Sequence, residues 1–182
     1  MSVHDMLEFV QSERRRVCAG WNMAKTNAQR MLEYAGIPYD TVEYEVDEDD
    51  LSGVHAAEVS GIDPDMMFKT LVGKNERGEF LVFCIPVAEE LDLKKCAKAA
   101  KCKSVALIHV KELLPVTGYI RGGCSPVGMK KKFPTYVDET AELFDEIYVS
   151  AGMRGQQMKV PSAELLRYLE ADISDLTARH TS

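Results

Sequence analysis

MFKTLVGKNERGEFLVFCIPV, residues 67–87, is the stretch whose reading decides the architecture. Two runs rich in β-branched and aromatic residues, 67–74 and 79–87, flank a turn at Asn75–Gly78. That pattern predicts an antiparallel hairpin with a short loop. Lys69 interrupts the apolar character of the first run, on the same face as Leu71. Two readings of it stand. A lysine there can guard an edge strand against pairing with another chain, or it can carry a functional ammonium into a pocket. Position in the strand leaves both open.

Downstream of the hairpin, Asp92 is placed to cap a helix through LKKCAKAAKC, whose alanines and lysines favour helix. SVALI (104–108) reads as a short buried strand, and HVKELLP as a short helix stopped before Pro115. PTYVDE (134–139) gives a strand ending in Asp138, followed by a helical turn through TAELFD. Strands are expected at 146–150 and 156–160, around the glycine-rich turn AGMRG. A last helix carries Ser162, Leu165, Leu166 and Leu169, with ISDLTARHTS as its continuation or a tail.

Upstream, Thr26 or Asn27 caps a helix whose apolar contacts are Met31, Leu32 and Tyr34, closed by Gly36. IPYDTVEYEV (37–46) reads as a strand. Ser52 caps a helix that ends at Gly61, and Asp63-Pro64-Asp65 reads as the start of a one-turn helix. Residues 5–18 have the look of a helix with a weak apolar face, and Met23 of a natural beginning. Residues 1–22 are therefore expected to be an extension, with the domain proper at 23–182. Hairpin spacing coexists with strand–helix–strand spacing, so the class is α+β. The expected architecture is a mixed, strongly curved, barrel-like sheet of about seven strands flanked by helices.

The chain of 182 residues is 46% apolar and 28% charged, which suits a soluble domain with a real core. No apolar run approaches the roughly 18 residues of a membrane span, and no secretory signal is recognisable. The five cysteines form no CxxC and the four histidines are scattered, so zinc is not expected. Free thiols in a reducing cytoplasm are. The formal charge of -7 argues against a broad nucleic-acid binder. Its distribution is polarised, however: residues 40–50 are acidic without a basic residue, whereas 94–132 hold nine lysines and Arg121 against Glu112 alone. Such a molecule can present one basic face to a polyanion.

The most unusual composition lies at 118–132, GYIRGGCSPVGMKKK. Glycines let a backbone approach a ligand closely, and successive N–H groups in such a loop can cradle an anion. No phosphate-binding P-loop, dinucleotide fingerprint, HExxH or GxSxG motif is present. Cys124 is the tempting nucleophile, but no definite base accompanies it. Ser125 more simply shapes the loop. What remains is a lysine on a strand, a carboxylate at a strand end and a backbone-rich loop, a set suited to holding an ester or phosphate end and stabilising an oxyanion.

Four segments in order, MFKTLV, PVAEELDLKKCAKAA, GYIRGGCSPVGMKKKFPTYVDETA and EIYVSAGMRGQQM, resemble the YbaK/EbsC family of free-standing prolyl-tRNA editing proteins. The resemblance covers about residues 24–178. It implies hydrolysis of mischarged aminoacyl-tRNA, chiefly cysteinyl-tRNA(Pro), without metal or cofactor, and partnership with prolyl-tRNA synthetase. It implies that Lys69 is the essential lysine, contacting the terminal adenosine or its phosphate. Tyr44 matches a pocket tyrosine, and Asp138 a pocket carboxylate. Gly118, Gly122 and Gly123 match the loop that receives the aminoacyl ester, with Ser125 and Pro126 completing it. The implied mechanism needs no enzyme nucleophile, because the substrate's own thiol attacks its ester carbonyl. Alternatives within the same reading are an alanyl-tRNA(Pro) or other small aminoacyl-ester hydrolase, and a non-catalytic module that holds a tRNA 3′ end or a synthetase.

Overall fold

In the computed structural model, which describes residues 24–178, the hairpin is the centre of the larger sheet. Strand β2 (Phe68–Asn75) pairs antiparallel with β3 (Phe80–Pro86), in register from Phe68 opposite Pro86 to Lys74 opposite Phe80. The turn is fixed by Asn75, whose side-chain oxygen accepts from the N–H groups of Arg77 and Glu79, both at 3.0 Å. Gly78 takes φ +79°, a conformation that costs an L-residue with a Cβ about 1–2 kcal/mol. β3 alternates between two cores: Val82 and Cys84 face one, Leu81, Phe83 and Ile85 the other.

Strands β4 (Val105–Leu107), β5 (Thr135–Asp138) and β8 (Asp172–Ser174) complete this sheet in the order β4-β2-β3-β5-β8, with β3-β5 and β5-β8 parallel. A second, antiparallel sheet has the order β1-β7-β6, from β1 (Asp40–Glu43), β7 (Gln156–Pro161) and β6 (Glu146–Ser150). The two sheets meet at a parallel bridge between Met67 and Tyr148. They are not closed into a barrel, which corrects the barrel-like expectation. Closure requires the outer strands to find partners, and among the described residues β1, β4 and β8 each remain an edge.

Among the described residues five α-helices pack on this frame: α1 (Asn27–Tyr34), α2 (Gly53–Ser60), α3 (Leu93–Ala99), α4 (Val110–Thr117) and α5 (Ser162–Leu169). α1 begins with a capping box between Thr26 and Gln29, and buries Leu32 completely. Tyr34, expected to pack, is 93% exposed. α4 runs through Pro115, contrary to expectation. The proline removes one N–H, but the last turn still closes through Gly118 N–H to the Leu114 carbonyl and Thr117 Oγ1 to the Leu113 carbonyl. Asp63–Asp65 form a turn, with the Asp65 N–H donating to the Asp63 carboxylate. The expected helical turn after Asp138 is a 3-10 turn, Glu139–Leu143. The segment after α5 is a strand, β8, followed by a fully buried Leu176. The expected helix at 5–18 lies outside the described residues.

Candidate active site

Between the Met67 bridge to β6 and its pairing with β4 at Gly73–Asn75, strand β2 has one edge without a strand neighbour among the described residues. A cavity of about 540 Å³ opens beside that edge and is lined by β2 from Phe68 to Val72. Its other walls come from Tyr44, the start of α2, the start of α4, the glycine-rich loop, and the paired positions Ser150 and Gln157 of β6 and β7. Its volume is within the range of small-molecule sites.

Lys69 projects from β2 into this space, half-buried. Its Nζ donates to the Val87 carbonyl at 3.2 Å, which leaves donors for a ligand. Burial pushes its pKa below that of an ordinary lysine, and the carboxylates of Glu90 and Glu89 oppose the shift. An edge-strand guard belongs in solvent; this ammonium is in a cavity wall.

Tyr44 follows β1 and reaches the same cavity, its N–H held by the Gly155 carbonyl at 3.0 Å. Gly122 lines it too, at φ +84°. Gly123 sits behind, where a Cβ would lie 3.0 Å from Arg154 N and 3.0 Å from the Met153 carbonyl carbon. Gly123 is therefore required where two backbones pass in contact, and Gly122 where the backbone takes a positive φ. Gly118, at φ +85°, ends α4 and is outside the cavity. Ser125 is fully buried and accepts from the Val127 N–H. Pro126 is buried and faces a separate hollow beside Lys130–Lys132.

Asp138 is not part of this wall. Its carboxylate is 1% exposed and accepts from Thr140 N–H at 3.1 Å, Thr140 Oγ1 at 2.7 Å and Leu176 N–H at 2.9 Å. Those bonds cap the 3-10 turn and tie the segment after β8 to β5. Cys124 does line the cavity, but burial pushes its thiol up to about 12, so it is protonated near neutral pH. Cys84, behind it, is likewise pushed up to about 12 by burial. Neither is an activated nucleophile.

Gln157 escaped the reading of the sequence. It is 7% exposed, lines the cavity, and its Oε1 accepts no hydrogen bond among the described residues. An unpaired buried acceptor costs about 1–3 kcal/mol, which marks it as a place for a ligand donor. The available signal was two adjacent glutamines in a strand. Gln156 satisfies itself with Gln29 and Glu43, and Gln157 does not.

The basic segment 94–132 and the acidic segment 40–50 each find ion-pair partners elsewhere in the chain. Lys95 pairs with Asp175, Lys132 with Glu170 and Arg154 with Glu48. Among the described residues no three ligand-type side chains converge as a metal site, and no helix is long and apolar enough to cross a membrane.

A cavity held between an open sheet edge and a glycine-rich loop, with an ammonium inside and no activated nucleophile, defines a binding or ester-hydrolysing pocket on an α+β frame. The chain belongs to the aminoacyl-tRNA editing domain family, whose model matches residues 51–168. It is 45% identical over 155 residues to EbsC of Enterococcus faecalis (strain ATCC 700802 / V583), whose name gives it as a Cys-tRNA(Pro)/Cys-tRNA(Cys) deacylase; the match covers 85% of this chain and 94% of that protein. Among solved structures, a trans-editing enzyme for prolyl tRNA synthetase superposes with a TM-score of 0.76 at 24% identity, covering 88% of this chain and 100% of that one. A computationally grafted epitope scaffold superposes with a TM-score of 0.75, also at 24% identity, over 85% and 96%. At that identity the structures speak for the fold.

Proposed function

We propose that this protein is a trans-editing hydrolase that removes cysteine from mischarged Cys-tRNA(Pro), acting in the cytoplasm beside prolyl-tRNA synthetase, with the activity carried by residues 23–182. The observation that carries the reading is a half-buried Lys69 ammonium in a cavity of about 540 Å³ whose lining thiol, Cys124, is held protonated. Such a site offers no activated thiol of its own, and a cysteinyl ester brings one.

In the proposed reaction the substrate sulfur forms a bond to its own carbonyl carbon. The carbonyl–ribose oxygen bond breaks, and the tRNA hydroxyl leaves with the proton given up by the thiol. Water then opens the resulting thiolactone to free cysteine. Lys69 meets the charge that develops on the carbonyl oxygen, where one well-placed donor is typically worth about 3 kcal/mol. Confinement keeps sulfur and carbonyl in reacting range. Gln157 Oε1 accepts from the substrate's α-ammonium, Tyr44 packs on the aminoacyl-nucleoside end, and Gly122 gives that end room to approach the loop. Gly123, Gly118, Ser125 and Pro126 shape the loop from behind, and Asp138 supports the sheet.

The test is a deacylation panel of cysteinyl-, alanyl- and seryl-tRNA(Pro), with and without prolyl-tRNA synthetase. Preferential release of cysteine is expected, enhanced by the synthetase. Faster release of alanine would reassign the amino acid. Binding of all three without turnover would make the protein a holding module.

A further inference from the structure

Arg154, in the turn between β6 and β7, gathers three loops at one rim of the cavity. Its Nε donates to the Arg121 carbonyl at 2.8 Å, and its Nη1 donates to the Glu48 carboxylate at 2.8 Å. Its side chain also lies against Gly122, where a Cβ would be 3.4 Å from Arg154 Nε. Arg121 is exposed, lines the cavity, and pairs with no carboxylate among the described residues. Arg154 itself lines a smaller hollow that shares Tyr44, Leu51, Ser52, Ala56 and Gly122 with the cavity, so two guanidinium groups flank Gly122, one with no carboxylate partner among the described residues and one whose counter-ion, Glu48, is 71% exposed.

An exposed pair of this kind contributes little to stability, about 0–1 kcal/mol, and exchanges readily. A phosphate offers a guanidinium a stronger, bidentate partner. The other carboxylates of the acidic loop are partly committed to their own turn: Asp47 accepts from the Asp49 N–H and Asp50 from the Ser52 N–H, each at 2.9 Å. Glu48 is the one that crosses to the rim. With Lys69 lining the cavity and the arginines beside Gly122, the arrangement suits a ligand whose neutral body enters the cavity and whose anionic link stays outside it.

We propose that Arg121 and Arg154 form a phosphate seat for the backbone phosphate on the 5′ side of the substrate's terminal adenosine, and that Glu48 occupies Arg154 until that phosphate displaces it. This rests on the aminoacyl-tRNA reading of the cavity.

The experiment compares two small esters, cysteinyl-adenosine and the same ester of adenosine 5′-phosphate, and reads the ratio of their kcat/KM values. Arg121→Gln and Arg154→Gln are each expected to lower that ratio about tenfold, the loss of one charge-assisted contact. Glu48→Gln, which removes the competing carboxylate, is expected to raise it. A role in loop shape alone would slow both esters together and leave the ratio unchanged, which would overturn the proposal. Arg121→Gln removes no side-chain hydrogen bond or ion pair among the described residues, so a folding failure of the Arg154 variant does not blunt the test. Inorganic phosphate is expected to bind more weakly than the phosphorylated ester. Equal binding would assign the rim to free phosphate and refute the tRNA contact. If the wild-type protein turns over neither these esters nor Cys-tRNA(Pro), the hydrolase reading fails first and the phosphate seat with it. Turnover of the tRNA with an unchanged ester ratio removes only the seat.

Discussion

Gly123→Ala tests whether that glycine is a packing requirement. The added Cβ would meet Arg154 N and the Met153 carbonyl carbon at 3.0 Å and Met153 Cα at 3.1 Å. Ordinary contact begins at 3.4 Å, and all three neighbours are backbone, which no rotamer change can move. Overpacking of this kind costs about 1–3 kcal/mol. Gly123 has no positive φ, so alanine incurs no backbone strain and recovers about 0.4–1 kcal/mol by restricting the unfolded chain. The net expectation is a loss of about 1–2 kcal/mol, or roughly 2–8 °C in Tm for a domain of this size. Relief requires the loop to move off the 153–154 backbone, toward the cavity, so KM for the aminoacyl ester should rise as well. Gly78→Ala is the matched control. Its Cβ meets nothing within 4 Å, so φ +79° alone should cost about 1–2 kcal/mol, at a turn whose residues do not line the cavity. Thermal unfolding and steady-state deacylation measure both effects. A Gly123→Ala protein with unchanged Tm and KM would refute the close-approach argument, and a KM shift in Gly78→Ala would show that destabilisation alone perturbs the site.

Asp138→Asn should lower stability by about 2–3 kcal/mol, because an amide cannot accept on both sides from Thr140 and Leu176; kcat/KM of the folded protein should persist, as read by denaturant unfolding beside activity. Cys124→Ser should retain activity. Alkylation of Cys124 in the wild type should be slow at neutral pH and still be accelerating above pH 9, since its thiol is pushed up to about 12 and the thiolate grows only as pH approaches that value. Gln157→Leu should leave the fold as stable or about 1 kcal/mol more stable, since an unpaired buried acceptor is removed, while kcat/KM falls about tenfold through the lost ammonium contact.

Much of the frame was legible because its signals are local. The hairpin, the Ser52 and Asp92 caps and the Gly61 stop are written in consecutive residues, and each stands where the residue types place it. Sheet closure was not legible. Whether β1 meets β4 or β8 depends on pairing between distant segments, and periodicity says nothing about it. Tyr34 failed for a related reason: the turn of helix that faces the core is set by what lies beneath it. Within the site, Lys69 stood out as a charge in an apolar strand. Asp138 gave a similar signal, a carboxylate at a strand end, but its partners at 140 and 176 lie in a turn and a tail whose direction the sequence leaves open. Gln157 and Arg154 were invisible for the same cause. One is distinctive only because nothing reaches its oxygen, the other because Arg121 and Glu48 arrive beside it from 33 and 106 positions away.

The most direct test of the account is hydrolysis of Cys-tRNA(Pro) by the wild-type protein and by Lys69→Ala, at equal folded fraction. Loss of the ammonium is expected to lower kcat about 10²–10³-fold while Cys-tRNA(Pro) still binds. A folded Lys69→Ala protein that releases cysteine at the wild-type rate would contradict the central claim that this half-buried lysine acts on the ester.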